Sequence, residues 1–435
     1  MDLSWEIDGW IIVAGAFCAA SAALLGNFLV LRRMSLMGDA ISHAILPGLA
    51  AAFLISGERQ GIVMFLGAAG VGVLTVLLTE LARQYGRVDE GASIGVVFTF
   101  LFALGLLMIV RAADHVDLDP DCVLFGALET SILDRADVLG FAVPRVVISL
   151  GVVLLLNLVF VIALLRPLAV STFDPQLARS QGIPVTLLHY LLAAFVAVTA
   201  VASFESVGNI LVVAMFVVPP VAAWLWTDRL VIMVVLSVVI GVASAVLGHL
   251  SAIAVPGWFG YGSTSTAGMI SVASGGMLLI AAMLAPRKGI VSRFFRSIQL
   301  ALTILSEDVL AALYRSEQRG AETMSRQSLR TRLAVPAIRA SWVLRWLRWR
   351  GLVTLQGGEF ALAEHGRKQA QNIVRSHRLW EQYLASEAGT EMQLLHEGAE
   401  QFEHFTSREL RQRLLQETNA PDVDPHGAPI PPEAK

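Results

Sequence analysis

Long apolar runs alternating with short charged connections constrain this chain more than any other feature. Runs near the roughly 20 residues that carry a helix across a bilayer lie at about 10–31, 34–56, 61–81, 94–111, 143–165, 187–204, 208–226, 230–248 and 268–285. In hydrocarbon every backbone N–H and C=O must be paired within the segment, which selects helices. The pattern predicts an all-α polytopic membrane protein of about nine transmembrane helices. A content of 55% hydrophobic and 15% charged residues excludes an ordinary soluble enzyme. Beyond residue 290 charges become frequent and mixed in sign, so a soluble tail follows. The expected division is a transmembrane domain over 1–290, a winged-helix-like domain over 300–365, a helical domain over 366–420 and a proline-rich end over 421–435, extended or mobile.

Charge sets the orientation. Arg32 and Arg33, Arg83 and Arg87, Arg166 and Arg179, Arg229, and finally Arg287, Lys288, Arg293 and Arg296 occupy alternate connections. The positive-inside rule places these in the cytoplasm, with the N-terminus outside and the tail inside. The acidic start MDLSWEIDGW lacks a basic n-region, so its apolar run reads as a retained span. An outer loop over 114–137 carries Asp114, Asp117, Asp119, Asp121, Glu129, Asp134 and Asp137. It either concentrates cations or is a plain solvated loop. Cys18 and Cys122 form no disulfide framework and no CxxC site.

The second run contains GDAISHAILPG, residues 38–48. An ionisable side chain at membrane depth costs roughly 2.5–3.5 kcal/mol on insertion scales, so Asp39 and His43 require a reason. At i and i+4 they share a helix face, and a carboxylate with an imidazole suits a first-row divalent metal. Glu205, His189 and His249 could complete such a site. The competing reading is an Asp–His hydrogen bond that only fastens helices.

In the tail, SEDVLAALYRSEQRG (306–320) has an amphipathic pattern with Ser306 as a cap and Gly320 as a stop. The following stretches read as helix, turn, helix and a two-stranded wing, then a long helix over 366–387 and another over 391–405. His377 and Glu381, His396 and Glu400, and Glu400 and His404 stand at i, i+4, and Glu403 at i+3 from Glu400. With Asp308, this is a stronger metal signal than the membrane pair, although a charged amphipathic surface produces such spacings by chance.

GNFLVLRRMSLMGDAISHAILPGLAAAFL (26–54), FDPQLARSQGIPV (173–185) and FESVGNILVVAMFVVPPVAAWLWTDR (204–229) together resemble the permease subunits of zinc/manganese/iron-type ATP-binding-cassette importers. The resemblance implies that Asp39 and His43 coordinate metal in the translocation path. It implies that Phe173, Asp174, Ala178 and Gly182 lie in the segment that docks on the ATPase. It also implies an extracytoplasmic metal-binding protein, a second permease subunit of the same or a homologous kind, and the plasma (inner) membrane of a bacterium as location. Where many relatives have an acid in the last outer loop, this chain reads IAVPGWFG. No GxxxxGK[ST] occurs, so no nucleotide is expected on this chain and ATP hydrolysis belongs to a separate polypeptide.

Residues 303–432 resemble the DNA-binding and dimerisation domains of iron- and manganese-dependent regulators of the diphtheria-toxin-repressor family. SEDVLAALY, GRKQAQNIVRSHRLWEQYL, HEGAEQFEH and DPHGAPIP carry the likeness. It places Asp308, His377, Glu381, His396, Glu400, Glu403 and His404 on metal-ligand positions. Glu400 stands where iron-type members have cysteine, which favours manganese. Ala311 stands where manganese-type members have an acid. Arg339, Arg345 and Arg348 could reach DNA phosphates, but Trp342, Trp346 and Trp349 share a face that reads as a packing surface. The expected function is a permease for divalent metal, manganese first, then zinc or iron, with a metal-sensing tail. The rival is a membrane-tethered, metal-dependent DNA-binding regulator.

Overall fold

The structure, a computed structural model, describes residues 5–56, 62–112, 128–138, 141–261, 264–388, 392–419 and 421–434. The chain divides into two compact units, Met1–Arg293 and Phe294–Lys435.

The first unit contains α1 (Trp5–Leu31), α2 (Met37–Ala44), α3 (Leu46–Ser56), α4 (Ile62–Gly86), α5 (Glu90–Ala112) and the short α6 (Leu128–Ser131). A hairpin of β1 (Arg135–Val138) and β2 (Phe141–Pro144) follows. Then come α7 (Arg145–Phe173), α8 (Pro175–Ser180), α9 (Val185–Val207), α10 (Asn209–Trp226), α11 (Leu230–Trp258) and α12 (Thr266–Leu284). The nine apolar runs lie on these helices, and in the second α2 leads into α3 through Ile45, whose angles stay helical and whose amide donates to Ile41 O at 3.1 Å. The hairpin was not expected. Asp114, Asp117, Asp119, Asp121 and Cys122 lie outside the described residues.

A helix apolar on all sides belongs inside a bundle. Accordingly, α1 buries Ala14, Cys18, Ala22, Leu25 and Phe28 and packs against α7, α9, α10 and α11. Polar ties cross this core. The Asn27 amide donates to Ser237 Oγ at 2.7 Å. Asn157 donates to Ser21 Oγ at 2.7 Å and Thr199 Oγ1 at 2.8 Å. Such interhelical bonds contribute roughly 0.6–2 kcal/mol each. Small residues bring backbones together: a Cβ on Gly48 would lie 2.3 Å from the Gly67 carbonyl oxygen, so α3 and α4 meet at close range.

The second unit is built from α13 (Ile290–Glu317), α14 (Arg326–Leu333), α15 (Ala337–Trp349), β3 (Val353–Gln356), β4 (Glu359–Leu362), α16 (Glu364–Ala388), α17 (Met392–Glu403) and α18 (Arg408–Glu417). By length and composition α13 is a tenth helix able to cross a membrane. Its C-terminal half instead supplies Val309, Leu310 and Leu313 to the core of this unit, with Val343, Leu344 and Leu347 of α15 and Phe360 of β4. The wing pairs Val353 with Leu362 and Gln356 with Glu359. Gly357 and Gly358, with φ of 57° and 85°, make the two-residue turn between them, a turn whose positive angles match the strand twist.

Two expectations are corrected here. Ser306 does not begin a helix: α13 already runs from Ile290, and the Ser306 hydroxyl donates back to the Thr303 carbonyl at 2.6 Å. The proline-rich end is extended but fastened. Gln371 donates to Pro432 O at 2.8 Å, Arg375 to Pro431 O at 2.5 Å, and Arg378 to Pro429 O. Glu433 closes an ion pair with Arg411 at 2.8 Å.

Candidate metal centres

Asp39 and His43 do share one face of α2, with Oδ1 3.5 Å from Nε2 and both side chains partly exposed. The same imidazole nitrogen lies 3.4 Å from the Asn209 amide nitrogen. Gly208, at φ 88°, turns the chain from α9 into α10 and so delivers Asn209. Phe98 and Phe102 of α5 flank the His43 ring, with centroids 6.1 and 6.0 Å away. The membrane thus holds a carboxylate, an imidazole and an amide together beside an aromatic wall.

The other membrane residues singled out in the sequence lie elsewhere. His249 of α11 is buried against the start of α1, with Nε2 3.0 Å from Asp8 Oδ1 and Nδ1 3.4 Å from Thr266 Oγ1. The Thr266 amide in turn donates to Glu129 at 2.7 Å. His189 lines a cavity of about 480 Å³ with Arg32, Glu80, Arg83 and Arg179. Glu205 belongs to α9, two residues from its end. In the connection after α7, Asp174 caps α8, accepting from Gln176 N at 3.0 Å and Leu177 N at 2.9 Å. Ala178 is buried, Phe173 is exposed, and Gly182 takes a φ of 76°.

The tail gathers its acids and imidazoles into one cavity of about 1120 Å³. Among the described residues, two groups of three could each hold an ion: His377, Glu381 and His396, and Asp308, Glu403 and His404. In the first, Glu381 Oε1 lies 3.1 Å from His377 Nε2 and 2.9 Å from His396 Nδ1. Glu400 approaches His396 Nε2 at 3.5 Å, at the rim. In the second, His404 Nε2 lies 3.2 Å from Asp308 and 3.6 Å from Glu403 Oε1. The two groups touch through Glu403, whose Oε2 is 2.6 Å from His377 Nδ1. Both of those buried atoms lack an aligned hydrogen-bond partner. Converging oxygen and nitrogen donors with orphaned buried atoms fit a divalent metal cation.

Electrostatics agree. Burial pushes the Glu381 carboxyl up, but His377 and His396 outweigh it and hold it at about 2. Burial pulls the His404 imidazole down, yet hydrogen bonds to Asp308 and Glu307 and the Glu403 charge push it up to about 10. His377 is also raised, burial being outweighed by Glu381 and Glu403.

Arg339, Arg345 and Arg348 project from α15 into solvent. Of the tryptophans beside them, Trp342 and Trp349 do not pack into the core of the unit. Ala340, Val343, Leu344 and Leu347 form the buried stripe at helical spacing, which turns Trp342 and Trp349 outward at 66% and 82% exposure.

Residues 5–285 match the ABC 3 transport family. The chain belongs to that family. Residues 363–432 match the iron dependent repressor, metal binding and dimerisation domain. The manganese transport system membrane protein MntD of Bacillus subtilis is 40% identical over 296 residues, covering 68% of this chain and 98% of that protein. The zinc transport system membrane protein TroD of Treponema pallidum is 33% identical over 363 residues, covering 83% and 97%. The solved PsaBC from Streptococcus pneumoniae in complex with Fab is 28% identical with a TM-score of 0.53, covering 64% of this chain and 92% of that one.

Sequence reasoning missed three groups in this ABC 3 family chain. Asn209 joins the membrane pair from 166 residues away. Glu307 accepts from His404 Nδ1 at 2.7 Å, while Ala311 only lines the cavity wall. His426 stands 3.7 Å from Glu381 Oε1. Its position comes from the turn at Asp424, whose Oδ1 accepts from the His426 and Ala428 amides at 2.9 and 2.8 Å. The only available signals were the adjacency of Glu307 to Asp308 and the DPHG run.

Proposed function

We propose that this chain is the permease subunit of an ATP-driven importer of divalent metal, with manganese as the main cargo and zinc or iron next, and that its tail reports cytoplasmic metal to the transporter. The observation that carries the reading is the Asp39–His43–Asn209 group in an ABC 3 bundle. A cation entering this space exchanges part of its hydration shell for one carboxylate oxygen and one imidazole nitrogen. Manganese and zinc relatives and a donor set without sulfur support that cargo.

The capped α8 and its glycine turn form a compact projection between two spans, suited to receive a separate ATPase. Closure of an ATPase pair on segment 173–185 of two permease subunits would switch which side is open. An extracytoplasmic protein would deliver the ion. The alternating basic connections support a cytoplasmic tail and an external N-terminus in a bacterial inner membrane. In the tail, Asp308, Glu403 and His404 would hold one ion, and His377, Glu381, His396 and Glu400 another. The bound ions would supply positive charge that draws α13, α16 and α17 together.

Vesicles containing the chain with its ATPase and binding protein test the path. Asp39→Ala and His43→Ala should each abolish ATP-dependent manganese uptake while the complex still assembles. Unchanged uptake in both would make the pair a helix fastener. Glu403→Ala with His404→Ala should remove inhibition by internal manganese, and persistence of that inhibition would contradict the sensing role.

A further inference from the structure

We infer that the outward face of α15 lies on an anionic bilayer surface. This is the helix that a winged-helix domain would place in a DNA groove. Its inner stripe already fills the core of the unit, so Ile338, Trp342 and Trp349, at 74%, 66% and 82% exposure, make a second apolar face opposite the first. Arg345 lies within that face, and Arg339 and Arg348 flank it on either side. The run PAIRASWVLRWLRWRG contains no acid. Arg350 rests on the Trp346 ring at 4.3 Å, the stacking of a cation on an indole.

The apolar surface continues onto α13. Phe295, Ile298 and Leu302 share a cavity of about 810 Å³ with Trp342 and Trp346, and Phe294 and Phe295 are 62% and 65% exposed. The one carboxylate among its walls, Glu307, is engaged by His404. The exposed stripe therefore begins just after the last span. Only residues 285–289 separate α12 from α13, and five residues reach about 17 Å at most. The start of α13 is held within reach of the membrane interface by covalent geometry.

Tryptophan and arginine side by side match the interfacial zone, where indoles sit at headgroup depth and guanidinium groups meet lipid phosphate. A major groove is read mainly by polar side chains reaching base edges, whereas Arg345 is the one charged residue set among Ile338, Trp342 and Trp349 on this face. The face thus commits to lipid, with phosphatidylglycerol-type headgroups as the ligand class.

The test uses the full chain in nanodiscs, with Cys18→Ala and Cys122→Ser and a spin label at Trp342→Cys or Trp349→Cys. A label at Glu409→Cys on α18 serves as the aqueous control. In discs containing phosphatidylglycerol, labels at 342 and 349 should be accessible to oxygen and shielded from a water-soluble nickel chelate, while the control stays wet. Arg339→Gln, Arg345→Gln and Arg348→Gln together should return the label to water, each substitution costing about fivefold in the ratio of docked to free tail. Retained manganese binding and helix content show that these variants are folded. Three results overturn the inference: labels exposed to the chelate in those discs, shielding in lipid-free detergent with spin–spin broadening between two copies, or shielding that appears only on adding duplex DNA.

Discussion

Glu307 holds Nδ1 of His404 and leaves Nε2 facing Asp308 and Glu403. A carboxylate behind a ligating imidazole fixes its tautomer and orientation, and losing such a partner costs about 10–100-fold in metal affinity. Glu307→Gln should therefore weaken manganese binding to the purified full chain by at least about tenfold in calorimetric titration, with helix content unchanged. Proton competition gives a second check. His404, held up to about 10, carries a proton in the metal-free tail at neutral pH, and binding must displace it. Manganese affinity should then rise from about pH 6 to about pH 8, with a heat that depends on the ionisation enthalpy of the buffer. A buffer-independent heat would contradict this assignment. At this scale the sequence revealed pairs on one helix, such as Asp39 with His43. It could not reveal Asn209 or Glu307, because an i, i+4 spacing carries no information about a partner on another helix.

Among the elements, the close approach of α3 and α4 makes a specific demand. Gly48→Leu would force side-chain atoms against the Gly67 carbonyl, where even a Cβ lies at 2.3 Å, whereas a Cβ at Gly70 meets nothing within 4 Å. Overpacking of this kind costs about 1–3 kcal/mol. Gly48→Leu should lower the unfolding temperature in detergent, and Gly70→Ala should leave it unchanged. Hydropathy made all nine membrane elements legible, since burial in lipid and burial in protein select the same apolar residues. It could not show where α2 gives way to α3, a point set by Pro47, which has no N–H for the helix ladder and brings no change in polarity. Helix α18 was missed for the opposite reason: RELRQRLLQE is too polar to signal, and its place is set by the Ser407 cap on Leu410 and by Arg411 with Glu433. The fastening of the proline-rich end depends on Arg375 and Arg378, some fifty residues earlier in the chain.

For the molecule as a whole, two units with separate cores should answer metal separately. Binding at about a hundred times Kd adds about 2.7 kcal/mol to whichever unit holds the ion. Manganese added to the full chain should slow hydrogen exchange in α16 and α17 and leave the buried centre of α1 unchanged. Slowing only in α1 would move the high-affinity site into the membrane. Glu403 gives the tail a further property. One oxygen of this acid faces His404 and the other faces His377, so neither ion could settle without aligning a ligand of its neighbour. Two sites that share one carboxylate would then fill together. Such a tail would ignore scarce manganese and respond over a narrow band of concentration, giving the importer a threshold in place of a graded brake.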